Sequence, residues 1–385
     1  MVAAAAVAPD PGRRRFCVVA PTHPLTVGAA PFNDAMVRAL RRRADVQFLS
    51  WTRPYPPLLY RGSMRDPAPP PQAEPAEFVL DWANPASWGR AVERAEAFGA
   101  EALIVPWVHP VMAPPYLGLF RRARRTMQVV VVCHNVHPHE RLPGSTALTR
   151  AVLRQADALV THAPHQREEL RALGANGAII EAFHPLFVPD DLARPASAYD
   201  VARERAACGN PELMLLLYGA VRPYKGADLA IEAIARVDPG LHVHLVIAGR
   251  FWTSKDELAG LVSSLGVEDR VTLRDGFVSN DDTALLFEAC DAGLLPYRSA
   301  TQSGVVAMSF GHGRPVIATA VGGLPAAVRD GRDGILAPPG DVSELARAIE
   351  RMAREREWLA AGARETRSTR TFEHYAELLD AGIGR

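Results

Sequence analysis

Lysine is almost missing from this 385-residue chain. Of its 43 basic residues only Lys225 and Lys255 are lysines, and the other 41 are arginines. With abundant alanine, that is the bias of a G+C-rich bacterial genome. A lysine kept under such pressure marks a place that needs a compact ammonium charge, or a chance survivor. Cysteine is scarce too. Cys17, Cys133, Cys208 and Cys290 lie far apart and make no CxxC pair. They fit buried reduced thiols of a cytoplasmic protein rather than a disulfide framework or a zinc site. Net charge is absent, 43 acidic residues balancing 43 basic ones, so no global field points to nucleic acid. No apolar run approaches the ~18 residues that a membrane span needs. The opening "MVAAAAVAPDPGRRR" puts its arginines after the alanines, the reverse of a secretory signal, and residues 1–13 read as a disordered leader.

What is present is alternation. Apolar residues make up 48% of the chain, enough for two cores at roughly 100–200 residues per domain. "FCVVA" (16–20), "VQFLS" (46–50), "ALIVP" (102–106), "QVVVVC" (128–133), "ALVT" (158–161) and "AIIEA" (178–182) are short continuous apolar runs. Runs of this kind fit strands buried on both faces, hence a parallel sheet. Helix-like stretches such as "FNDAMVRALRRR" and "HQREELRALG" separate them, giving the βαβ order of a doubly wound domain. Residues 52–80, rich in proline, read as a long loop, and 184–212 as a linker. The alternation then restarts with strands at 213–219, 243–249, 271–274, 292–296 and 315–319. The prediction is an α/β chain of two doubly wound Rossmann-like domains facing across a cleft, with ligands at the carboxyl ends of the strands.

Three places carry candidate chemistry. After the strand "AGLLP", the polar cluster Thr301, Gln302, Ser303 and Gly304 leads into a helix with Val305. A helix N-terminus offers free amides and a partial positive charge, a natural phosphate site; the plainer alternative is that Ser303 is an ordinary N-cap. In "YGAVRPYKGADLAIEAI", Gly219 ends a strand, and Arg222 and Lys225 follow on the turn. An arginine fork and a lysine point charge suit a diphosphate, or else belong to a solvated turn. In "VVVVCHNVHPHE", His134 directly follows a strand, where it could bond a sugar hydroxyl or relay a proton near neutral pH. Asn135, His137, His139 and Glu140 come next, without a full zinc ligand set. His109 ends another strand, and His162 and His165 read as structural. The runs "ALRRR" (39–43) and "FRRARR" (120–125) read as solvated helix faces, with peripheral contact to anionic lipid as the alternative.

These motifs, with "LVIAGRFW", "RVTLRDGFVSNDDTALLFEACDAGLLPY" and "SGVVAMSFGHGRPVIATAVGGLPAAVRDGRDGILAPPGD", resemble the retaining nucleotide-sugar glycosyltransferases of family four, which have the GT-B fold. The resemblance runs over nearly the whole chain. It implies an acceptor-side domain at 14–188, a sugar-nucleotide domain at 189–370, and a terminal helix, 371–385, packing back on the first. It implies that Arg222 and Lys225 hold the donor diphosphate together with Gly219, that Thr301, Gln302, Ser303, Gly304 and Val305 meet it, and that Phe277 and Val278 sit by the nucleobase. His134 would stand near the reacting sugar and Gly28 in the first glycine loop. No metal and no cofactor beyond the nucleoside-diphosphate sugar is implied. The acceptor could be a polysaccharide, a glycolipid or a secondary metabolite, met near the 52–70 loop by a cytoplasmic enzyme with or without membrane contact. The chain also departs from the family. The usual pair of glutamates is replaced by Ala300 and Met308, the first loop is thinned to Gly28 beside Val27, and the arginine usual just after Gly219 is Ala220, with Arg222 taking its place. Ala300 and Met308 keep a non-catalytic sugar-nucleotide binder in contention, and an epimerase of the same fold is the third alternative, although the carboxylates it needs are not evident.

Overall fold

The computed structural model describes residues 12–25, 27, 29–56, 73–136, 144–186, 196–300 and 303–384. They fall into two compact units. Unit 1 runs to His184 and takes in the segment from Phe372 onward; unit 2 is Pro185–Thr371. The leader expected at 1–13 lies outside the described residues except for its last two.

Unit 1 contains β1 (Arg15–Val19), β2 (Asp45–Arg53), β3 (Glu77–Asp81), β4 (Ala102–Trp107), β5 (Gln128–Cys133), β6 (Ala158–Thr161) and β7 (Ala178–Glu181). They form one sheet in the order β3-β2-β1-β4-β5-β6-β7, parallel at every pairing. Unit 2 contains β8 (Leu213–Tyr218), β9 (Val243–Gly249), β10 (Val271–Asp275), β11 (Ala292–Leu295), β12 (Val316–Thr319) and β13 (Gly334–Ala337). Its parallel sheet has the order β10-β9-β8-β11-β12-β13. Both sheets are doubly wound, as the apolar runs predicted. The order reverses between β1 and β4 and again between β8 and β11. At such a switch point the connections leave in opposite directions and open a crevice at the strands' carboxyl ends.

The continuous apolar runs follow from burial on both faces. In β8, Leu213, Leu215 and Leu217 enter one core with Ile231, Ile234 and Ile247. Met214 and Leu216 point the other way, into a second cluster with Val246 and Phe287. Each such side chain contributes roughly 1.5–3 kcal/mol on burial, so a polar residue at any of these positions would be costly. In unit 1, Trp51, Trp107, Tyr116 and Phe120 anchor the equivalent core.

Helix α1 (Ala30–Arg41) follows β1, and α2 (Ala198–Ala207) opens the described part of unit 2 after its first strand-free residues. Then come α3 (Ala227–Arg236), α4 (Asn280–Ala289), α5 (Gly304–Gly311), the long α6 (Val342–Thr369) and α7 (Phe372–Gly382). α7 lies against α1 in unit 1. Arg43 pairs with Glu377 at 3.1 Å, Arg14 with Asp380 at 3.2 Å, and Arg42 with Glu373. Arg38 and Arg41 both pair with Glu74. The basic run at 39–43 is therefore largely occupied by carboxylates. Among the described residues, no helix is long and apolar enough to cross a membrane.

Two expectations need correction. The stretch 52–80 is not loop throughout: β2 runs to Arg53 and β3 begins at Glu77, while 57–72 lies outside the described residues. β3 is a half-exposed edge strand, so it lacks the two-faced apolar run that marked the others. The linker 184–212 holds α2, a helix with no buried residue and thus no apolar stripe to betray it. Ser197 caps it by accepting from the Asp200 amide at 3.1 Å.

Candidate functional site

The two expected anion turns lie on one edge of one sheet and flank the switch point of unit 2. Gly219 follows β8 and the 296–305 segment follows β11, and these strands are neighbours. They touch directly. Gly226 has φ +68°, and a Cβ there would stand 2.1 Å from the Pro296 carbonyl oxygen, so only glycine fits on both counts. Arg298 clamps the contact from the far side. Its guanidinium grips Asp228 through two bonds of 2.9 and 2.6 Å, and its amide donates to the Tyr224 carbonyl at 2.7 Å.

Lys225 is buried, 6% exposed. Its Nζ donates to the Tyr218 carbonyl at 2.8 Å and lies 5.7 Å from the centre of the Tyr297 ring. Gly219, with φ +93°, leaves room for that ammonium, since a Cβ there would come within 3.1 Å of Nζ. No carboxylate pairs with Lys225 among the described residues. Burial, and secondarily the Arg222 charge, bring its pKa down to about 8. Burial pushes the Tyr297 phenol well up, and the Ser303 side chain acts in the opposite sense. Ser303 stands at the N-cap of α5 but makes no side-chain cap bond, which departs from the plain N-cap alternative. Gly304 is open to its surroundings: an added Cβ would meet nothing within 4 Å. A helix N-terminus leaves its first amides without intrahelical partners, and here an uncompensated ammonium stands behind it. The arrangement can bind an anion.

Arg222 is exposed and has no carboxylate partner among the described residues. Its guanidinium lies 4.3 Å over the Trp252 ring. Phe277 projects into solvent, 86% exposed. Val278, Val305, Met308 and Tyr218 each pack against the same buried apolar cluster, and the Tyr218 hydroxyl is bonded to Thr283 at 2.6 Å. Met308 is therefore part of an apolar wall. Thr301 and Gln302 lie outside the described residues. Tyr297, Arg298 and Trp252 were missed in the sequence, although Tyr297 was visible as an aromatic residue between a strand end and the predicted helix.

In unit 1, His134 follows β5 and joins a packed ring cluster. Its ring centroid is 4.5 Å from that of Phe32 and 5.3 Å from that of His162. Phe32 also meets His184, Phe372 and Tyr375 at 5.5, 5.4 and 5.8 Å. His162 bonds the Tyr375 hydroxyl at 2.9 Å. Burial, followed by the neighbouring His184, lowers the His134 pKa to about 3, and burial drives His162 well down. Burial thus favours the neutral form of the His134 imidazole. Its Nε2 is buried and has no hydrogen-bond partner among the described residues. His109 caps a short 3-10 turn, its Nδ1 accepting from the Val111 amide at 3.1 Å. His165 is exposed. Gly28, His137, His139 and Glu140 lie outside the described residues. Among the described residues no three histidine, cysteine or carboxylate side chains converge as metal ligands.

Comparison with known proteins follows the same division. Residues 212–355 match the family described as Glycosyl transferases group 1. D-inositol 3-phosphate glycosyltransferases of Mycobacterium tuberculosis and Mycobacterium bovis are 35% identical over 229 residues, 58% of this chain. The chain spans 45% of the length of these relatives. Anabaena HepE in complex with UDP superposes with a TM-score of 0.70 at 17% identity, covering 96% of this chain and 100% of that one. Sucrose-phosphate synthase from Thermosynechococcus elongatus gives 0.64 at 20% identity, covering 96% and 98%. The two parallel-sheet units match the GT-B fold, and the segment that carries both anion turns lies within the stretch that matches the Glycosyl transferases group 1 model.

Proposed function

We propose that the chain is a glycosyltransferase that moves a hexosyl group from a nucleoside-diphosphate sugar to an acceptor hydroxyl, with retention and without a metal, in the manner of family four. One observation carries the proposal. Arg222 and Lys225, two cations without carboxylate partners among the described residues, stand with a helix N-terminus at the switch point of unit 2. The relatives named as glycosyltransferases and the structure solved with UDP support the same donor class.

As the bond between the anomeric carbon and the diphosphate oxygen breaks, its electron pair goes to the phosphate. Lys225, Arg222 and the amides at Gly304 and Val305 stabilise that growing charge, each well-placed donor by about 3 kcal/mol. These fixed positive groups do the leaving-group work without a cation from solution. The acceptor oxygen bonds the anomeric carbon on the face that the diphosphate leaves, and its proton passes to the departing phosphate, so configuration is retained without an enzyme nucleophile. His134, neutral, orients a sugar hydroxyl through Nε2. Phe277 and Val278 flank the nucleobase. One observation favours a non-catalytic sugar-nucleotide binder instead: Met308 lies in an apolar wall and offers no hydrogen-bond acceptor to a ribose. Release of diphosphate from donor separates the two, since only the transferase catalyses it.

Melting the full chain with UDP, dTDP, GDP or ADP tests the donor site. At least one is expected to stabilise by about 2.7 kcal/mol at a concentration about 100-fold above Kd, a shift of several degrees. The gain is expected to shrink between pH 7 and pH 9.5, because Lys225 is charged below about 8 and neutral above it. If no diphosphate raises the melting temperature, the anion-site assignment fails.

A further inference from the structure

We infer that Trp252 is a positioning residue for diphosphate binding: its indole holds the Arg222 guanidinium at the mouth of the anion turn. This rests on the donor site proposed above; in the sequence Trp252 only closes the motif "LVIAGRFW" and carries no role of its own.

The backbone makes the pair rigid. Beyond the ends of β8 and β9 the chain continues the parallel pairing by one isolated bridge, Val221 to Phe251. The Val221 amide donates to the Arg250 carbonyl at 2.9 Å, and the Trp252 amide to the Val221 carbonyl at 2.8 Å. The Phe251 amide donates to Asp275 Oδ1 at 2.9 Å, which ties the same segment to β10. Arg222 and Trp252 are thus the next residues on two strand extensions locked side by side. The indole is 60% exposed, too open to be serving the core, yet the guanidinium stacks on it at 4.3 Å.

Stacking also explains how the arginine stays available. Nearby Arg298, like many arginines among the described residues, reaches a carboxylate; Arg222 reaches an aromatic face. A cation attracted to a ring face spends no hydrogen bond on it, so the guanidinium N–H groups stay unspent. Those N–H groups form the fork that grips phosphate oxygens in pairs. A free arginine side chain would lose rotamer freedom when it binds, whereas one already held on a ring has lost much of it in advance. Lysine at this place could neither lie flat on the indole nor present the fork.

Calorimetric titration of UDP into the full chain tests the idea, with inorganic pyrophosphate as a second probe. W252A is expected to weaken UDP binding by about three- to five-fold without lowering the melting temperature. W252F, which keeps a face for stacking, is expected to restore most of the loss. In an R222A background, W252A is expected to change nothing. Equal losses with and without Arg222 would overturn the inference, because the indole would then be acting on the ligand or the fold. Wild-type affinity in W252A would overturn it as well. If W252A does not fold, W252M supplies the bulk without the aromatic face and is read in the same way. Failure of the wild-type chain to bind any diphosphate would instead remove the donor site itself, so the two failures are distinguishable.

Discussion

Replacing Lys225 by alanine is expected to lower diphosphate release from the donor by about 10²–10³-fold while unit 2 stays folded. The ammonium is buried, has no carboxylate partner among the described residues, and meets the Tyr218 carbonyl and the Tyr297 ring. A charge removed from water without a counter-charge is a cost to the fold. Its removal therefore takes away function more than stability. The pH dependence has a definite sign. Folding lowers the lysine pKa from 10.5 to about 8, so the folded state disfavours the charged form. The penalty is fully present below about 8 and disappears as pH rises toward the unfolded value, so unit 2 gains stability across that window. Diphosphate affinity runs the other way and falls as the site loses its charge. K225A is expected to abolish that fall. Wild-type turnover in K225A, measured as nucleoside diphosphate released, would show that the anion site lies elsewhere.

Phe32→Ala is expected to cost unit 1 about 3–5 kcal/mol. Phe32, 3% exposed, touches His134, His162, His184, Phe372 and Tyr375. Its deletion opens a hole where β5, β6, β7 and α7 converge. Urea unfolding followed by the fluorescence of the buried Trp51 and Trp107 would measure the loss, and a change below about 1 kcal/mol would contradict this packing. Acid adds to the strain. The folded pKa values of His134 and His162 lie below their unfolded value of 6.5, so unfolding takes up protons. Stability is full above about 6.5 and declines toward pH 3, by about 2 kcal/mol at pH 5 for His134 alone.

Much of the fold was legible because the strands are buried on both sides. β4, β5, β8 and β9 announce themselves as unbroken apolar runs, and their spacing gives the parallel sheets. β3 and β13 did not announce themselves. β3 lies at an edge and is half exposed, and β13, "GILA", is only four residues long. α2 buries nothing, so its composition looks like a linker. At the candidate site, the glycines, Arg222, Lys225 and the head of α5 could be picked out because a phosphate site, as proposed here, would constrain residue type at short spacing. Trp252 and Tyr297 could not, since what matters is which strand ends become neighbours. The His134 cluster was hidden for the same reason. Its rings follow three different strands and close on a helix near the end of the sequence, and only their meeting buries them.

The pairing of Arg42 with Glu373 joins residues 331 positions apart, and the whole of unit 2 is threaded between the two parts of unit 1. During synthesis, the earlier-begun unit therefore cannot close its aromatic cluster until the later one has left the ribosome. The unit begun second is the first that can be completed. Until α7 arrives, Phe32 and its histidines stay open to water, an apolar face that a chaperone could recognise.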